Sequence, residues 1–124
     1  MNLPVVTIAW CKPIACVGLD ASLVPARAGI YEILDDSTPD AERIFMGESD
    51  DVRKTLIAHI SGWTTHGNVT QRITEGGTHF RYWLCDSRIR RSEVAAALWD
   101  RYAYECGGDW ADLGGNCVRL IEED

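Results

Sequence analysis

The chain has 124 residues, 46% of them hydrophobic, and a formal net charge of -7 at pH 7. This length and composition suit one hydrophobic core, so we expect residues 1–124 to form a single domain. The negative charge disfavours non-specific nucleic-acid binding, which depends on Lys and Arg displacing counterions from phosphates. No stretch reaches the roughly 20 apolar residues of a membrane-spanning helix, and we expect a cytoplasmic protein without a membrane partner.

The first half of the chain predicts a strand followed by a hairpin. Residues 5–10, VVTIAW, are rich in β-branched side chains and predict a strand at a sheet edge. Residues 30–34, IYEIL, carry apolar groups on both faces, which is typical of a central strand. The polar segment 35–42, DDSTPDAE, predicts a loop, and residues 43–47, RIFMG, predict the returning strand.

A helix is predicted after this hairpin. Ser49 or Asp50 is placed to cap its first turn, and Gly62 is placed to end it. Apolar residues recur at helical spacing and predict the buried face: Val52, Leu56, Ile60 and Trp63.

The second half of the chain begins with a weak pattern. Residues 64–77 are polar with three glycines and predict a loop with at most one short strand, at residues 69–73. Residues 78–86, THFRYWLCD, predict a strand, and a helix should follow over about residues 88–104, capped by Asp86 or Ser87. After a glycine-rich break, residues 117–121 predict a last short strand.

The cysteines and tryptophans give no specific signal. The five cysteines are an odd number without a Cys-x2-Cys pair, so we expect reduced thiols rather than a disulfide framework or a zinc site. His66 and His79 have no partner at metal-ligand spacing, which favours surface or strand positions. Four tryptophans are expected in the core or in an interface: Trp63, Trp83, Trp99 and Trp110.

The order of elements predicts an α+β fold: a small, mostly antiparallel sheet with a β-hairpin followed by helix, strand and helix, plus an extra N-terminal strand. The hairpin strands carry Gly29-Ile30-Tyr31 and Phe45-Met46-Gly47, and Ser49, Val52 and His59 follow. This arrangement resembles the GIY-YIG nuclease family, over a core of about residues 25–104.

The resemblance implies a phosphodiester-cleaving site. Such chemistry needs a general base, a cation for the developing charge, and a Mg or Mn ion held by a carboxylate. The resemblance makes Tyr31, Ser49 and His59 the candidate catalytic residues. It also places three replacements at family positions: Phe45 at the second-motif tyrosine, Thr55 at the helix arginine and Ala95 at the metal-binding glutamate.

The two main candidates also have simpler interpretations. Tyr31 is either the general base or a half-buried packing residue with its hydroxyl at the surface. His59 either positions a substrate or is a satisfied histidine at the helix edge.

Other charged residues lie near these positions. Four are candidate binding residues: Arg53, Lys54, Arg88 and Arg91. The first two are rotated by about 100–200° around the helix from Thr55, so neither simply replaces the missing arginine. The other two belong to an exposed basic cluster at a helix start, which is either solvated or binds a phosphate or an acidic partner. Glu93 becomes the metal ligand only if the register of the last helix differs by two residues.

The missing charges decide the predicted function. One preorganised charge donor contributes about 3 to 4 kcal/mol to transition-state stabilisation, and two such groups are absent. We therefore predict a GIY-YIG-like domain that has lost nuclease activity, needs no cofactor and binds a partner through the former catalytic cleft. The partner class stays open among protein, small molecule and nucleic acid. The alternative is a divergent endonuclease that uses Mg or Mn, so whether the chain is an enzyme is also open.

Overall fold

A computed structural model describes residues 3–38, 40–63, 66–106 and 118–123. The order of helices and strands is β1 (Val5–Ala9), β2 (Ile14–Ala15), β3 (Gly29–Leu34), β4 (Arg43–Ser49), α1 (Val52–Ser61), α2 (Gly67–Glu75), β5 (His79–Leu84), α3 (Arg88–Arg101) and β6 (Arg119–Glu123). A short 3-10 helix at Ala21–Leu23 precedes β3. None of the helices in these ranges is long and apolar enough to cross a membrane.

The main sheet has four antiparallel strands in the order β2-β5-β3-β4. The strand β3 pairs with β4 on one side and with β5 on the other, and all six of its residues are buried. The predicted hairpin, the predicted central strand and the α+β fold class are therefore confirmed.

A second, two-stranded sheet is formed by β1 and β6, which pair in parallel. The N-terminal strand was expected at the edge of a sheet, and β1 is an edge strand, because it pairs only with β6 in this small sheet. The last strand was predicted at residues 117–121; it runs over Arg119–Glu123, and Cys117 lies outside the described residues. The other four cysteines are free thiols.

The main sheet separates two hydrophobic cores, because successive strand residues point to opposite faces. On one side, which we call the α1–α2 face, Tyr31 and Ile33 pack with residues of the first two helices: Val52, Leu56, Val69 and Ile73. On the other, the α3 face, Ile30 and Met46 pack with α3 and the small sheet through Ile8, Val94, Ala95, Leu98 and Leu120.

The prediction of a loop at residues 64–77 is wrong, because Gly67–Glu75 forms α2. Only Val69 and Ile73 are buried in this helix, and their spacing of four places them on one helix face. Two apolar residues within a polar, glycine-flanked segment are too weak a signal to predict a helix. Packing against α1 and in the core of the α1–α2 face supplies the stabilisation that the local sequence lacks.

The observed caps and ends of α1 and α3 agree only in part with the predicted ones. The carboxylate of Asp51 caps α1 by accepting a hydrogen bond from the backbone N–H of Lys54, whereas Ser49 or Asp50 was expected in this role. Gly62 ends α1 with φ at 80°, as predicted. Ser87 caps α3, which ends at Arg101, three residues before the predicted end.

The predicted buried stripe of α1 is partly wrong. Val52 and Leu56 are buried, but Ile60 is 37% exposed and Trp63 is 81% exposed. His59 takes the remaining buried position on this helix. Trp83 and Trp99 pack against the core of the α3 face, and Trp110 lies outside the described residues.

Candidate active site

Tyr31 and His59 meet between β3 and α1. The Tyr31 hydroxyl oxygen lies 2.8 Å from Nε2 of His59. Tyr31 is 3% exposed and His59 is 1% exposed. The expectation of a surface hydroxyl on Tyr31 and that of a helix-edge His59 are therefore both wrong, because α1 packs directly over the strand. The structure brings two of the three candidate catalytic residues into one hydrogen bond.

The motif glycines allow this close packing. Tyr31 and Gly47 face each other across β3 and β4, and a Cβ on Gly47 would lie 2.5 Å from the Tyr31 hydroxyl oxygen. A Cβ on Gly29 would lie 2.5 Å from the backbone oxygen of Trp83 on β5. Any side chain at either position would have to displace a ring or a strand.

Phe45 fills the space around this pair. Its ring centroid lies 6.1 Å from that of Tyr31, 5.3 Å from that of His59 and 4.8 Å from that of His66. His66 precedes α2 and is partly buried. This contact could not be predicted from the sequence, because His66 lies in a segment that was predicted to be a loop. The ring of Phe45 therefore packs between the two histidines.

Burial sets the protonation of the pair. Desolvation raises the pKa of Tyr31 well above its ordinary value, and the charge of Glu48 adds to this effect. Desolvation lowers the pKa of His59 to about 4, with a smaller contribution from His66. At pH 7 both groups are neutral. The two shifts make Tyr31 a weaker acid and His59 a weaker base, so burial opposes proton transfer between them. Nδ1 of His59 has no hydrogen-bond partner among the described residues.

Ser49 organises the turn that starts α1. Its Oγ lies 2.6 Å from Oγ1 of Thr55 and accepts a hydrogen bond of 2.9 Å from the backbone N–H of Asp51. Thr55, where the resemblance implies an arginine, is therefore a neutral hydroxyl that is already hydrogen-bonded. Nearby, Nε of Arg53 donates to the backbone oxygen of Val24 at 2.6 Å.

Arg91 is buried, at 2% exposure, so the prediction of an exposed basic cluster is wrong for this residue. Its Nε donates to Glu48 at 2.8 Å, and its Nη2 donates to Asp50 at 2.6 Å. Its Nη1 donates to the backbone oxygens of Cys85 and Asp86 at 3.0 and 3.2 Å. All three guanidinium nitrogens are thus bound within the protein, and they join the turn before α1 to the turn before α3.

The remaining basic candidates are exposed, namely Lys54 on α1 and Arg88 at the start of α3. The charges near Ser49 are inverted relative to the pattern that the resemblance implies. The carboxylates of Glu48 and Asp50 lie next to α1, and Arg91, which pairs with them, lies on α3. The resemblance implies the reverse, an arginine on the first helix and a carboxylate on the last.

The residues present do not fit a divalent metal site. Ala95 is fully buried in the apolar core of the α3 face, whereas Tyr31 lies on the opposite face. Glu93 is partly exposed and forms an ion pair of 3.5 Å within α3. The carboxylates beside Ser49 are already paired with Arg91. Across the described parts of the chain, no group of three or more His, Cys, Asp or Glu residues could hold a metal ion.

The fold is found in solved structures of known function. The GIY-YIG N-terminal endonuclease domain of UvrC from Thermotoga maritima matches in three point-mutant crystal structures with a bound divalent cation. Each gives a TM-score of 0.56 and covers 71% of this chain and 90% of that domain, at 15–17% sequence identity. No protein-family model and no curated protein matches the sequence. The chain therefore has a GIY-YIG-like fold, as the hairpin motifs predicted.

Proposed function

We propose that this chain is a GIY-YIG-like domain that does not cleave nucleic acid and instead binds a partner protein beside the former catalytic cleft. The observation that carries the proposal is the state of Tyr31 and His59. Both are neutral and buried, and they bond to each other, whereas catalysis needs a base within hydrogen-bond reach of a water or substrate.

The electrostatics support the absence of cleavage. Phosphodiester hydrolysis needs a cation aimed at the developing charge. Thr55 supplies no charge, and the guanidinium of Arg91 is engaged by two carboxylates and two backbone oxygens. A phosphate would have to displace these partners before it could bind Arg91.

The outer face of α1 favours a protein as the partner. Ile57 is 39% exposed, Ile60 is 37% exposed and Trp63 is 81% exposed, all on or directly after the helix that carries His59. An exposed tryptophan with apolar neighbours is typical of the residues that contribute most to protein–protein binding. The net charge of -7 further favours a partner with a basic surface over nucleic acid.

Cleavage is tested directly. The protein is incubated with plasmid DNA, single-stranded DNA and RNA in Mg or Mn, beside Tyr31→Phe, which keeps the ring and removes the hydroxyl. We expect no cleavage by either protein, while a commercial nuclease cuts under the same conditions. Metal-dependent cleavage by the parent chain that disappears in a folded Tyr31→Phe variant would overturn the proposal.

Binding is tested by affinity purification with matched variants. Trp63→Ser removes the exposed ring beside α1, and Ile89→Ser removes a side chain on α3 that is 77% exposed. We expect a partner that is retained by the parent chain and by Ile89→Ser and is lost by Trp63→Ser. Equal retention by all three proteins would contradict a binding surface on α1.

A divergent endonuclease is the second candidate, and the presence of Tyr31, Ser49 and His59 at their motif positions favours it. A neutral His59 could accept the proton of Tyr31 if the cleft opened. In that case His59→Gln should abolish cleavage as completely as Tyr31→Phe does.

A further inference from the structure

Glu32 is a fully buried carboxylate next to Tyr31 in β3, on the α3 face of the sheet. Its Oε2 accepts a hydrogen bond of 2.9 Å from Nε of Arg43 and one from the hydroxyl of Tyr104. Its Oε1 accepts a hydrogen bond of 2.7 Å from Nε of Arg81. Glu32 therefore fixes the position of two guanidinium groups, one on each neighbouring strand.

A second carboxylate, Glu122 of β6, forms ion pairs with the same two guanidinium groups, at 3.2 Å with Arg43 and 4.0 Å with Arg81. Its Oε1 accepts from Nη2 of Arg43 at 3.2 Å and from the indole N–H of Trp10 at 2.9 Å. Arg43 also stacks on the ring of Tyr102 at 3.5 Å, and Arg81 stacks on the ring of Trp10 at 4.5 Å. The two arginines are thus held in place before any ligand arrives, which lowers the entropic cost of binding one.

These arginines line a groove of about 580 Å³. This volume lies within the roughly 300–1,000 Å³ of small-molecule sites. The Nη1 atoms of Arg43 and Arg81 form no hydrogen bond with the part of the chain that is described, and the exposed Lys12 adds an ammonium group at the wall. The groove therefore presents donors from three cationic side chains.

Both carboxylate oxygens of Glu122 in the groove are already occupied. Oε2 of Glu122 accepts from the hydroxyl of Tyr102 and pairs with Arg101, and its Oε1 is engaged as described above. Glu123, an exposed residue at the rim, is the other carboxylate in the lining. A ligand that complements the unpaired Nη1 donors and the Lys12 ammonium group accepts several hydrogen bonds and carries negative charge.

We propose that this groove binds the oxyanion group of a small molecule, a carboxylate or a phosphate, with Arg43, Arg81 and Lys12 as its donors. The site lies on the opposite face of the sheet from Tyr31 and is independent of the proposed partner-binding surface on α1.

The test is a titration of the full ¹⁵N-labelled chain, with inorganic phosphate in one series and benzoate in the other, followed by NMR. We expect saturable shifts of the Trp10 indole N–H and of the Nε–H groups of Arg43 and Arg81. Saturation by phosphate alone identifies a phosphate ligand, and saturation by benzoate alone identifies a carboxylate ligand. No saturable shift at these three groups with either probe would overturn the proposal.

Two lysine variants separate local binding from net charge. The chain has two lysines, Lys12 in the groove and Lys54 on α1, both exposed. Lys12→Glu and Lys54→Glu change the net charge equally, and we expect only the first to weaken binding, by about tenfold. Removing the rim charge with Glu123→Gln should strengthen binding. Equal effects of the two lysine variants would overturn the proposal, because the response would then report net charge alone.

Discussion

Tyr31 and Glu32 are neighbours in one strand, and both are buried, but their surroundings are opposite. Tyr31 faces an aromatic core, where its partner His59 is neutral and has one nitrogen without a described partner. Glu32 faces two arginines and a tyrosine hydroxyl, all of which donate to it. The strand alternation therefore places a neutral pair on one face and a compensated charge on the other.

The two faces of the main sheet differ in the charged groups that they bury. A charge on the α1–α2 face would be buried among apolar rings without a counter-ion, which is costly. On the α3 face, guanidinium and carboxylate groups neutralise each other and form several hydrogen bonds. Near the motif tyrosine, the charge of Glu48 is paired with Arg91, whereas two arginines and two carboxylates lie together on the α3 face.

The largest expected effect comes from removing Glu32. Glu32→Ala removes the fully buried carboxylate that accepts hydrogen bonds from Arg43 and Arg81 and should lower the free energy of unfolding by about 3–5 kcal/mol. Urea denaturation measures the loss. The matched control is Glu75→Ala, which removes a carboxylate that is 53% exposed and should cost at most about 1 kcal/mol. Similar losses for both variants would show that the buried network is not held together as described.

The next effect is a pH dependence that arises from His59. Its pKa is about 4 in the folded protein and 6.5 in an unfolded chain, so the folded state binds fewer protons between these values. The stabilisation is complete above pH 6.5 and is lost as the pH falls towards 4, by up to about 3 kcal/mol. Urea denaturation at several pH values should show this loss in the parent chain and a smaller one in His59→Gln. Parallel pH curves would refute a neutral, buried His59.

A smaller effect tests the fit of Tyr31 against Gly47. Gly47→Ala places a methyl group 2.5 Å from the Tyr31 hydroxyl oxygen and should cost about 1–3 kcal/mol in unfolding free energy. Gly67→Ala is the control, because no atom lies within 4 Å of a Cβ there and its φ is not positive. That change should be neutral or stabilise by up to about 1 kcal/mol. Thermal unfolding of both variants would rule out a tight fit if Gly47→Ala were equally harmless.

The smallest effect concerns the hydroxyl pair of Ser49 and Thr55. Thr55→Val keeps the shape and removes one hydrogen bond, so we expect a loss of about 0.5–1.5 kcal/mol. Chemical denaturation measures this change, and Thr74→Val, on the exposed side of α2, is the control. A gain in stability from Thr55→Val would indicate that the hydroxyl pair is strained.

Much of the fold could be predicted because its signals are local. The hairpin, the central strand, the cap at Ser87 and the end of α1 at Gly62 depend on residues close in sequence. The helix α2 could not be predicted, since its stability comes from two side chains that pack in a shared core with α1. The small sheet could not be predicted for the same reason, because its strands are separated by most of the chain.

The sequence by itself determined the motif, its glycines and the uncharged residues at positions 55 and 95. These are matters of residue identity and short spacing. Only the tertiary structure decided that His59 forms a hydrogen bond with Tyr31 and that Arg91 is buried and pairs with two carboxylates. It also decided that Glu32 pairs with two arginines on the α3 face of the sheet. Each of these contacts joins residues at least 11 positions apart in the chain. Such contacts depend on which face of the sheet each strand residue occupies and on which helix packs against that face.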